Sequence, residues 1–443
     1  MGVQDHKTQR AKGISQMRSS HNLAGIETTF DEDNLVANAG LLAPAALAQK
    51  LGVAELVDEH VKLPAKAAGR ANCGIKAMSV IGAMLTGGDS IDDVDVLRAG
   101  AGPEVFDQIR APSTIGTWLR GFIWASVRML DKVSRQVLQR AWAAGLGPDL
   151  ESDLTVDFDS TICRVFGTAK QGAKFGYTGV RGYHPLLATL ASTSEVLHTR
   201  MRGGNAGAAR GAGSFVRETI SRIRSAGATG QLTFRADSAF YSRSFVNACR
   251  DHDVRFSVTV KSHFKAIRRA IAAIDEEAWT PIPYWLEGGA DVAETTYTAF
   301  KGTRDAIELR LIVRRVRPTP GSQLAMDVVF DYHTILTDRD GELLEIEADH
   351  RAHAVVELAI RDLKAGGLAH VPSGVFTANA AWLALAVLAH NLGRWTLAAA
   401  GDGWAKATTE TLTTKLVSMM RTGFDGDSVH WIPTGWLVSA CRS

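Results

Sequence analysis

The amino-acid sequence predicts an α/β fold: a mixed five-stranded sheet preceded by an all-helical N-terminal region and interrupted by a β-rich insertion. Three observations predict it. Apolar residues recur at helical spacing between residues 40 and 145, with Gly, Pro or Asp between the periodic segments. After residue 150, strand-like alternation mixes with helical periods. Short alternating segments then dominate residues 263–340.

The first element is a helical N-terminal region over residues 1–148, which begins with a polar, mildly basic stretch at residues 1–30. We interpret that stretch as a flexible arm and the helices that follow as a DNA-binding or dimerisation region. The character of the sequence changes at residue 150, so we place the boundary of the next domain there.

The sheet is predicted from five segments, of which the first three form an antiparallel meander and the last two connect through helices. In "LTVDFDST" the apolar residues point one way, whereas Asp157 and Asp159 point the other way. The predicted strands are 154–161, 183–193, 195–202, 231–238 and 254–260, with helices over 212–227 and 244–253.

Two helices follow the insertion. "ADHRAHAVVELAIRDLK" (348–364) is predicted as one helix, and a long apolar helix covers 377–398. The domain organisation is therefore a split catalytic domain (149–262 and 341–400), the insertion (263–340) and a C-terminal tail (401–443).

The charge of the chain is distributed unevenly. Its 443 residues carry a net charge of only +2, but residues 160–270 hold 18 Lys and Arg against 5 Asp and Glu. Such a local excess indicates a polyanionic partner, of which nucleic acid is the commonest.

Other features of the sequence indicate a soluble, cytoplasmic protein. None of the four cysteines forms a CxxC pair, and the N-terminus has no hydrophobic signal core. The apolar run at 380–389 is too short to cross a bilayer, so no membrane partner is expected.

Three carboxylates stand where reactive groups are expected. Asp159 lies on the first strand, Asp237 ends the fourth, and Glu357 lies on the helix after the insertion. Together they could hold two divalent ions, Mg²⁺ with Mn²⁺ as a substitute, for an in-line phosphodiester displacement. Asp157 shares the face of Asp159 and is an alternative for the first position; the pair could instead form a solvated strand face.

The predicted 348–364 helix places His350, His353 and Glu357 in one stripe with Arg361 and Lys364. Spacing of i, i+3 and i+7 would also allow a single zinc site, although no HExxH motif is present. The Gly-rich segments that carry Arg181 and Arg202 suit close approach to a phosphate backbone, or else form ordinary hairpin loops.

At these residues the sequence resembles the DDE transposases of bacterial insertion sequences, most closely the cut-and-paste group numbered thirteen-eighty, which is related to piggyBac-type elements. The resemblance covers nearly the whole chain. It implies an RNase H-like core with an insertion before the catalytic glutamate. The segments that carry it are "DFDST" (157–161), "KQGAKFGYTGVRGYHPLLA" (170–188), "RADSAFYS" (235–242), "HRAHAVVELAIRDLK" (350–364) and "FTANAAWLALAVLAHNLGRW" (376–395).

The resemblance also implies residue roles, in which Asp159, Asp237 and Glu357 are the catalytic carboxylates. The wider superfamily places a Tyr and an Arg before the glutamate and a Lys after it. Here Lys364 keeps its spacing, but histidines stand at the other two positions. The residues expected to contact DNA or phosphate are Lys364, Arg361, Arg351, His350, His353, Arg181 and Arg202, with Arg351 or Arg361 replacing the missing guanidinium.

Three functional hypotheses follow. The first is a transposase that binds terminal inverted repeats and target DNA as a homodimer on paired ends, acting at the bacterial nucleoid. The second is a single-zinc metallohydrolase using His350, His353 and Glu357. The third is a transposase-derived DNA-binding protein that has lost catalysis.

Overall fold

A nine-stranded mixed sheet crosses the computed structural model, which describes residues 36, 38–100, 102–106, 108–318, 330–404 and 407–414. A separate three-stranded sheet lies beside it. The strands are β1 (Leu154–Ser160), β2 (Cys163–Arg164), β3 (Lys174–Phe175), β4 (Arg181–Tyr183), β5 (Leu186–Leu190), β6 (Val196–Arg200), β7 (Leu232–Ala236), β8 (Arg255–Val260), β9 (Thr280–Ile282), β10 (Ala290–Ala299), β11 (Ile307–Val316) and β12 (Asp331–Thr337).

Helices precede the sheet, connect its strands and cover it. Those of the N-terminal region are α1 (Leu42–Lys50), α2 (Val53–His60), α3 (Cys73–Leu85), α4 (Gly102–Val105), α5 (Pro112–Arg120) and α6 (Trp124–Ala143). Those that follow are α7 (Ala212–Ser225), α8 (Arg243–Arg250), α9 (Lys265–Ala272), α10 (Leu343–Arg351), α11 (Val356–Ala365), α12 (Phe376–Ala399) and α13 (Thr409–Leu412).

The five predicted strands form one end of the large sheet, in the order β6-β5-β1-β7-β8. β6, β5 and β1 pair antiparallel, while β1, β7 and β8 pair parallel. The predicted α/β class with an RNase H-like mixed sheet is therefore confirmed.

The strands of the β-rich segment do not form a sheet of their own. β12 pairs antiparallel with β8 through Thr334 and Val260, and β11, β10 and β9 follow outward. The insertion therefore lengthens the sheet that carries the candidate carboxylates. The predicted arm at 1–30 lies outside the described residues, as does most of the tail.

The core is built around Phe158 on β1. Its ring is fully buried and lies 4.8–6.1 Å, centroid to centroid, from four other phenylalanine rings. The long helix α12 packs against α3, α6 and β6, and most residues of α12 are buried. A helix that is apolar on every side is stable only in such a position.

The segment 348–364 is not one helix, contrary to the sequence prediction. α10 ends at Arg351, a 3-10 turn spans Ala352–Val355, and α11 begins at Val356. The change of helical pitch breaks the stripe of polar side chains that the sequence suggested, because 3-10 turns advance three residues per turn rather than 3.6.

Among the described residues, no single helix has the length and apolar character needed to cross a membrane. One bent pair of helices, Ala39–Lys50 with Val53–His60, has that length and composition when the two are taken together.

The turn between β5 and β6 is held in the core by a buried acid. Glu195 is 1% exposed, and its Oε2 accepts a hydrogen bond of 2.8 Å from Trp142 Nε1. Asn391 on α12 binds both the N–H and the C=O of Val196 at 2.9 Å. Burial raises the pKa of the Glu195 carboxyl to about 7, so its ionised form is unfavourable in the folded protein.

The Glu195→Gln substitution is expected to raise the free energy of unfolding at pH 8 by about 1–3 kcal/mol. A raised carboxyl pKa costs stability as the pH rises from about 4.5 to about 7, whereas an amide does not titrate. Urea unfolding at pH 8 and pH 4.5 measures the effect, which should vanish at the lower pH. The exposed Glu151→Gln is the control, and an equal stabilisation at both pH values would contradict the prediction.

Candidate active site

Asp159 and Asp237 lie at the same edge of the sheet. β1 and β7 run parallel with Phe158 opposite Ala236, so the next residue of each strand is one of these aspartates. The carboxyl ends of parallel strands form the edge at which α/β sheets place their reactive groups. Sequence alone predicted these positions, and the register brings the two carboxylates together.

Glu357 joins them electrostatically from the first turn of α11. Burial, with the negative charges of Asp237 and Glu357, raises the pKa of the Asp159 carboxyl to about 6. The Ser160 N–H opposes this shift by donating a 2.6 Å hydrogen bond to Asp159. Burial also raises the pKa of Asp237, although the Ala239 N–H donates to it at 3.1 Å. The edge therefore concentrates negative charge that the protein itself offsets only in part.

A buried ion pair lies two residues before these aspartates on the same two strands. The Arg235 guanidinium donates two hydrogen bonds to Asp157, Nε to Oδ1 at 2.7 Å and Nη2 to Oδ2 at 2.8 Å. Asp157 is completely buried and Arg235 is 3% exposed. Both oxygens of Asp157 are thus occupied by a guanidinium. Asp157 therefore does not fit the metal-ligand role that sequence offered as an alternative, and Asp159 keeps the first position.

His353 connects this ion pair to the candidate carboxylates. Its Nδ1 lies 2.8 Å from Asp157 Oδ1, and an ionised carboxylate there requires Nδ1 to carry the proton and donate. The charge of His353 also lowers the pKa of both Asp159 and Asp237. The ring of His353 therefore lies between the buried pair and the sheet edge.

His350, by contrast, is an internal anchor. Its Nδ1 lies 2.8 Å from Ser257 Oγ and its Nε2 lies 3.0 Å from Thr259 Oγ1, both on β8. The ring is 7% exposed, and burial lowers its pKa to about 3, so it stays neutral. The predicted phosphate contact through His350 is wrong, because neither ring nitrogen faces outward. The single-zinc hypothesis loses its first ligand for the same reason.

Arg181 and Arg202 also bind the protein's own backbone. Arg202 is 9% exposed and donates hydrogen bonds to the carbonyl oxygens of His184, Ala206, Gly207 and Arg210. Arg181 donates to the carbonyls of Gly167 and Thr168. These guanidinium groups hold loops in place, so the phosphate role predicted for them is not supported by their contacts.

The remaining predicted cations differ in whether other groups of the protein bind them. Arg361 is exposed on α11 and makes no hydrogen bond or ion pair with the described residues. Lys364 Nζ donates to the Ile162 carbonyl at 3.1 Å, just beyond the end of β1. Arg351 Nη2 lies 3.4 Å from Glu347 Oε2. Arg361 is therefore the better candidate for a phosphate contact.

Sequence reasoning missed two residues of the site. Arg235 precedes Asp237 by two positions, but nothing in its local pattern marks its pairing with Asp157. His184 is 3% exposed, and its Nε2 lies 2.9 Å from Ser160 Oγ, beside Asp159. In the segment "RGYHP" (181–185) only the arginine and the glycine fit the pattern of a phosphate-binding loop, so the sequence did not indicate a role for the histidine.

The chemistry of the donors suits a hard divalent ion, because Asp159, Asp237 and Glu357 offer oxygen ligands and Mg²⁺ prefers carboxylate oxygen. The charge repulsion among them also favours a cation. In the part of the chain that the structure describes, however, no three His, Cys, Asp or Glu side chains are close enough to enclose an ion. The carboxylates share an edge without forming a closed cage.

Two aspartates that lie two positions apart on β1 should respond oppositely to amidation in metal-free buffer at pH 7.5. We expect Asp157→Asn to lower the free energy of unfolding by about 3–5 kcal/mol, because a buried guanidinium loses its counter-ion. Asp159→Asn should raise it by about 1–2 kcal/mol, since the raised pKa makes ionisation costly above about pH 6. Urea unfolding with EDTA measures both, and a loss of equal size in the two variants would contradict this assignment.

Comparisons with known proteins identify the family of the chain. A cryo-EM structure of a piggyBac transposase synaptic complex with hairpin DNA is similar with a TM-score of 0.45 and 10% identity, over 85% of this chain and 80% of that chain. A comparison with curated protein sequences gave no match. The family model described as "Transposase DDE domain group 1" matches residues 19–420. The chain belongs to this family of DDE transposases.

Proposed function

We propose that this transposase binds the terminal inverted repeats of an insertion sequence and catalyses metal-dependent strand cleavage and strand transfer in a cut-and-paste reaction. The observation that supports the proposal is that Asp159 and Asp237 lie at one edge of two parallel strands, where burial, with the negative charges of Asp237 and Glu357, raises the pKa of the Asp159 carboxyl. A site of this kind is stabilised by binding cations, and oxygen donors select Mg²⁺ or Mn²⁺.

The three carboxylates would hold two divalent ions. When bound, such ions supply charge stabilisation for phosphodiester displacement and lower the pKa of an attacking water or 3′-hydroxyl. The chain's own contribution is to position these ligands. His353, held by Asp157, would place its positive charge near the carboxylates, and Arg361 and Lys364 on α11 would serve as cations for DNA phosphates.

The other parts of the proposal concern assembly. The helical region (α1–α6) would recognise the ends of the element, and two protomers would pair two ends before strand transfer into target DNA. Membership in the group numbered thirteen-eighty and action at the bacterial nucleoid also stay predictions. The inactive DNA-binding alternative differs from the proposal only in whether cleavage occurs.

Cleavage by the purified chain tests the proposal most directly. DNA duplexes taken from the two sides of the gene and carrying inverted repeats should be cut with Mg²⁺ and left intact with EDTA. Asp237→Asn and Glu357→Gln should each lower the rate at least about 100-fold, because a lost ligand forfeits several kcal/mol of charge stabilisation.

The matched control is Glu345→Gln, which changes an exposed acid on α10 and should cut at the wild-type rate. Mg²⁺ should also raise the unfolding temperature of the wild type but not of Asp159→Asn, since only a bound ligand stabilises the folded state. Absence of cleavage by the wild type would favour the inactive alternative. Unchanged cleavage by both carboxylate variants would overturn the assigned site.

A second test concerns the DNA contact of α11. We expect Arg361→Gln to weaken duplex binding and to reduce the slope of log affinity against log salt by about one, because one phosphate contact is lost. Fluorescence anisotropy at several salt concentrations measures this slope.

Lys301→Gln removes a cation of the turn between β10 and β11, which lies at the opposite edge of the sheet from Asp159. It should leave the slope unchanged. If both variants reduced the slope equally, Arg361 would not be a specific contact.

A further inference from the structure

The three-stranded sheet beside the candidate site exposes aromatic rings that no packing accounts for. This aromatic flap, residues 163–183, consists of β2, β4 and β3 in that spatial order. Phe166 is 68% exposed, Phe175 is 66% exposed and Tyr177 is 85% exposed. Exposed rings grouped in one small element indicate an interaction surface rather than scattered surface apolar residues.

The flap is also strongly cationic. No Asp or Glu occurs between residues 160 and 194, a stretch that contains four Lys and Arg residues. Arg164 and Lys174 both pair in register with Gly182, so the two exposed cations lie on one face of the flap. The Arg164 guanidinium lies 4.8 Å from the Phe166 ring centroid. One cation of the flap therefore lies against an aromatic ring, and no Asp or Glu of the flap is present to neutralise these charges.

The flap contacts residues next to the candidate carboxylate Asp159. The Tyr177 ring centroid lies 6.0 Å from that of His184, whose Nε2 lies 2.9 Å from Ser160 Oγ. Ser160 in turn donates its N–H to Asp159. Two residues, His184 and Ser160, thus link the Tyr177 ring to the first candidate carboxylate.

The backbone that carries these rings is held by hydrogen bonds to Tyr183 and by the loop that follows β6. Tyr183 Oη donates to the Gln171 carbonyl at 2.7 Å and accepts from Asn379 Nδ2 of α12 at 3.1 Å. A Cβ at Gly204 would collide with the carbonyl oxygens of Gly182 and Lys174, so the Gly-rich loop after β6 packs directly on the flap. This close contact gives the loop a structural role and supports the backbone from which the exposed rings extend.

From these contacts we infer that the aromatic flap binds unpaired DNA bases by stacking, next to the strand held at the active site. The inference deepens the proposed function and rests on it. Aromatic platforms interleaved with cations bind single strands, because every base offers a ring face once it is unpaired. Duplex DNA hides those faces inside its stack. A second copy of the chain is a poor occupant, since its flap would bring the same unpaired positive charge.

The test separates base stacking from charge. Two 20-nucleotide strands of equal charge, oligo-dT and a fully abasic strand, are titrated by anisotropy into the full chain in EDTA. The wild type should bind oligo-dT about tenfold or more tightly than the abasic strand, given the usual contribution of a stacked base. The triple variant Phe166→Ser, Phe175→Ser, Tyr177→Ser should bind the two strands equally.

Two matched variants define the mechanism. Tyr177→Phe keeps a ring and should retain the preference for oligo-dT, whereas Lys174→Gln should weaken binding to both strands by the same factor. Equal wild-type affinity for the two strands overturns the inference, and so does loss of the preference in Tyr177→Phe. Light scattering without DNA adds another decisive result: if the triple variant converts a dimer to monomer, the flap covers a second copy and the inference is wrong.

Failure of this inference is distinguishable from failure of the proposed function. Strand binding is measured without metal and with sequences unrelated to the ends of the element. A chain that cuts its ends with Mg²⁺ but ignores bases overturns the flap assignment alone. A chain that prefers oligo-dT without cutting supports the flap and counts against catalysis.

Discussion

The candidate site depends on one buried ion pair, Asp157 with Arg235. The two residues are register partners on β1 and β7, and each precedes a candidate catalytic aspartate by two positions. Side chains two apart on a strand share a face, so whatever fixes the pair also fixes the direction of Asp159 and Asp237. Burying two charges is costly, and the cost is offset only by good geometry and full hydrogen bonding. The bidentate contact supplies both, and Arg235 gains a further partner in Asp349 at 3.0 Å.

The same pair shapes the helices above the sheet. Asp157 also accepts from His353, while His350 reaches the hydroxyls of β8. A straight α-helix would present these histidines and Glu357 on nearly one face, but the structure needs His350 inward and Glu357 outward at the edge. The 3-10 turn at Ala352–Val355 provides the change of direction. The row of polar residues predicted from the sequence is therefore divided: some hold the fold together, and others remain candidate active-site residues.

Sequence predicted the strands and the positions of the carboxylates well, because both follow from local periodicity and strand ends. It could not predict the ion pair, since 78 positions separate Asp157 from Arg235 and neither has a distinctive neighbour pattern. The same limit explains the errors at His350 and Arg202, which resembled exposed cationic or polar positions but find buried partners far along the chain. Nor does periodicity reveal that β12 pairs with β8 and so joins the insertion to the catalytic sheet.

The buried carboxylates and the carboxylates at the sheet edge differ in the charged groups that lie beside them. Beneath the edge, Arg235 neutralises Asp157, and Arg339 with Arg235 neutralises Asp349. At the edge itself, the hydrogen-bond donors that Asp159 and Asp237 find among the described residues are backbone N–H groups, and burial is the main cause that raises the pKa of both carboxyls. The inner acids are thus paired with arginines, whereas the edge aspartates have no arginine partner among the described residues and the charge of His353 offsets their burial only in part. Such an imbalance is what the proposed site for cations and a phosphate backbone would require.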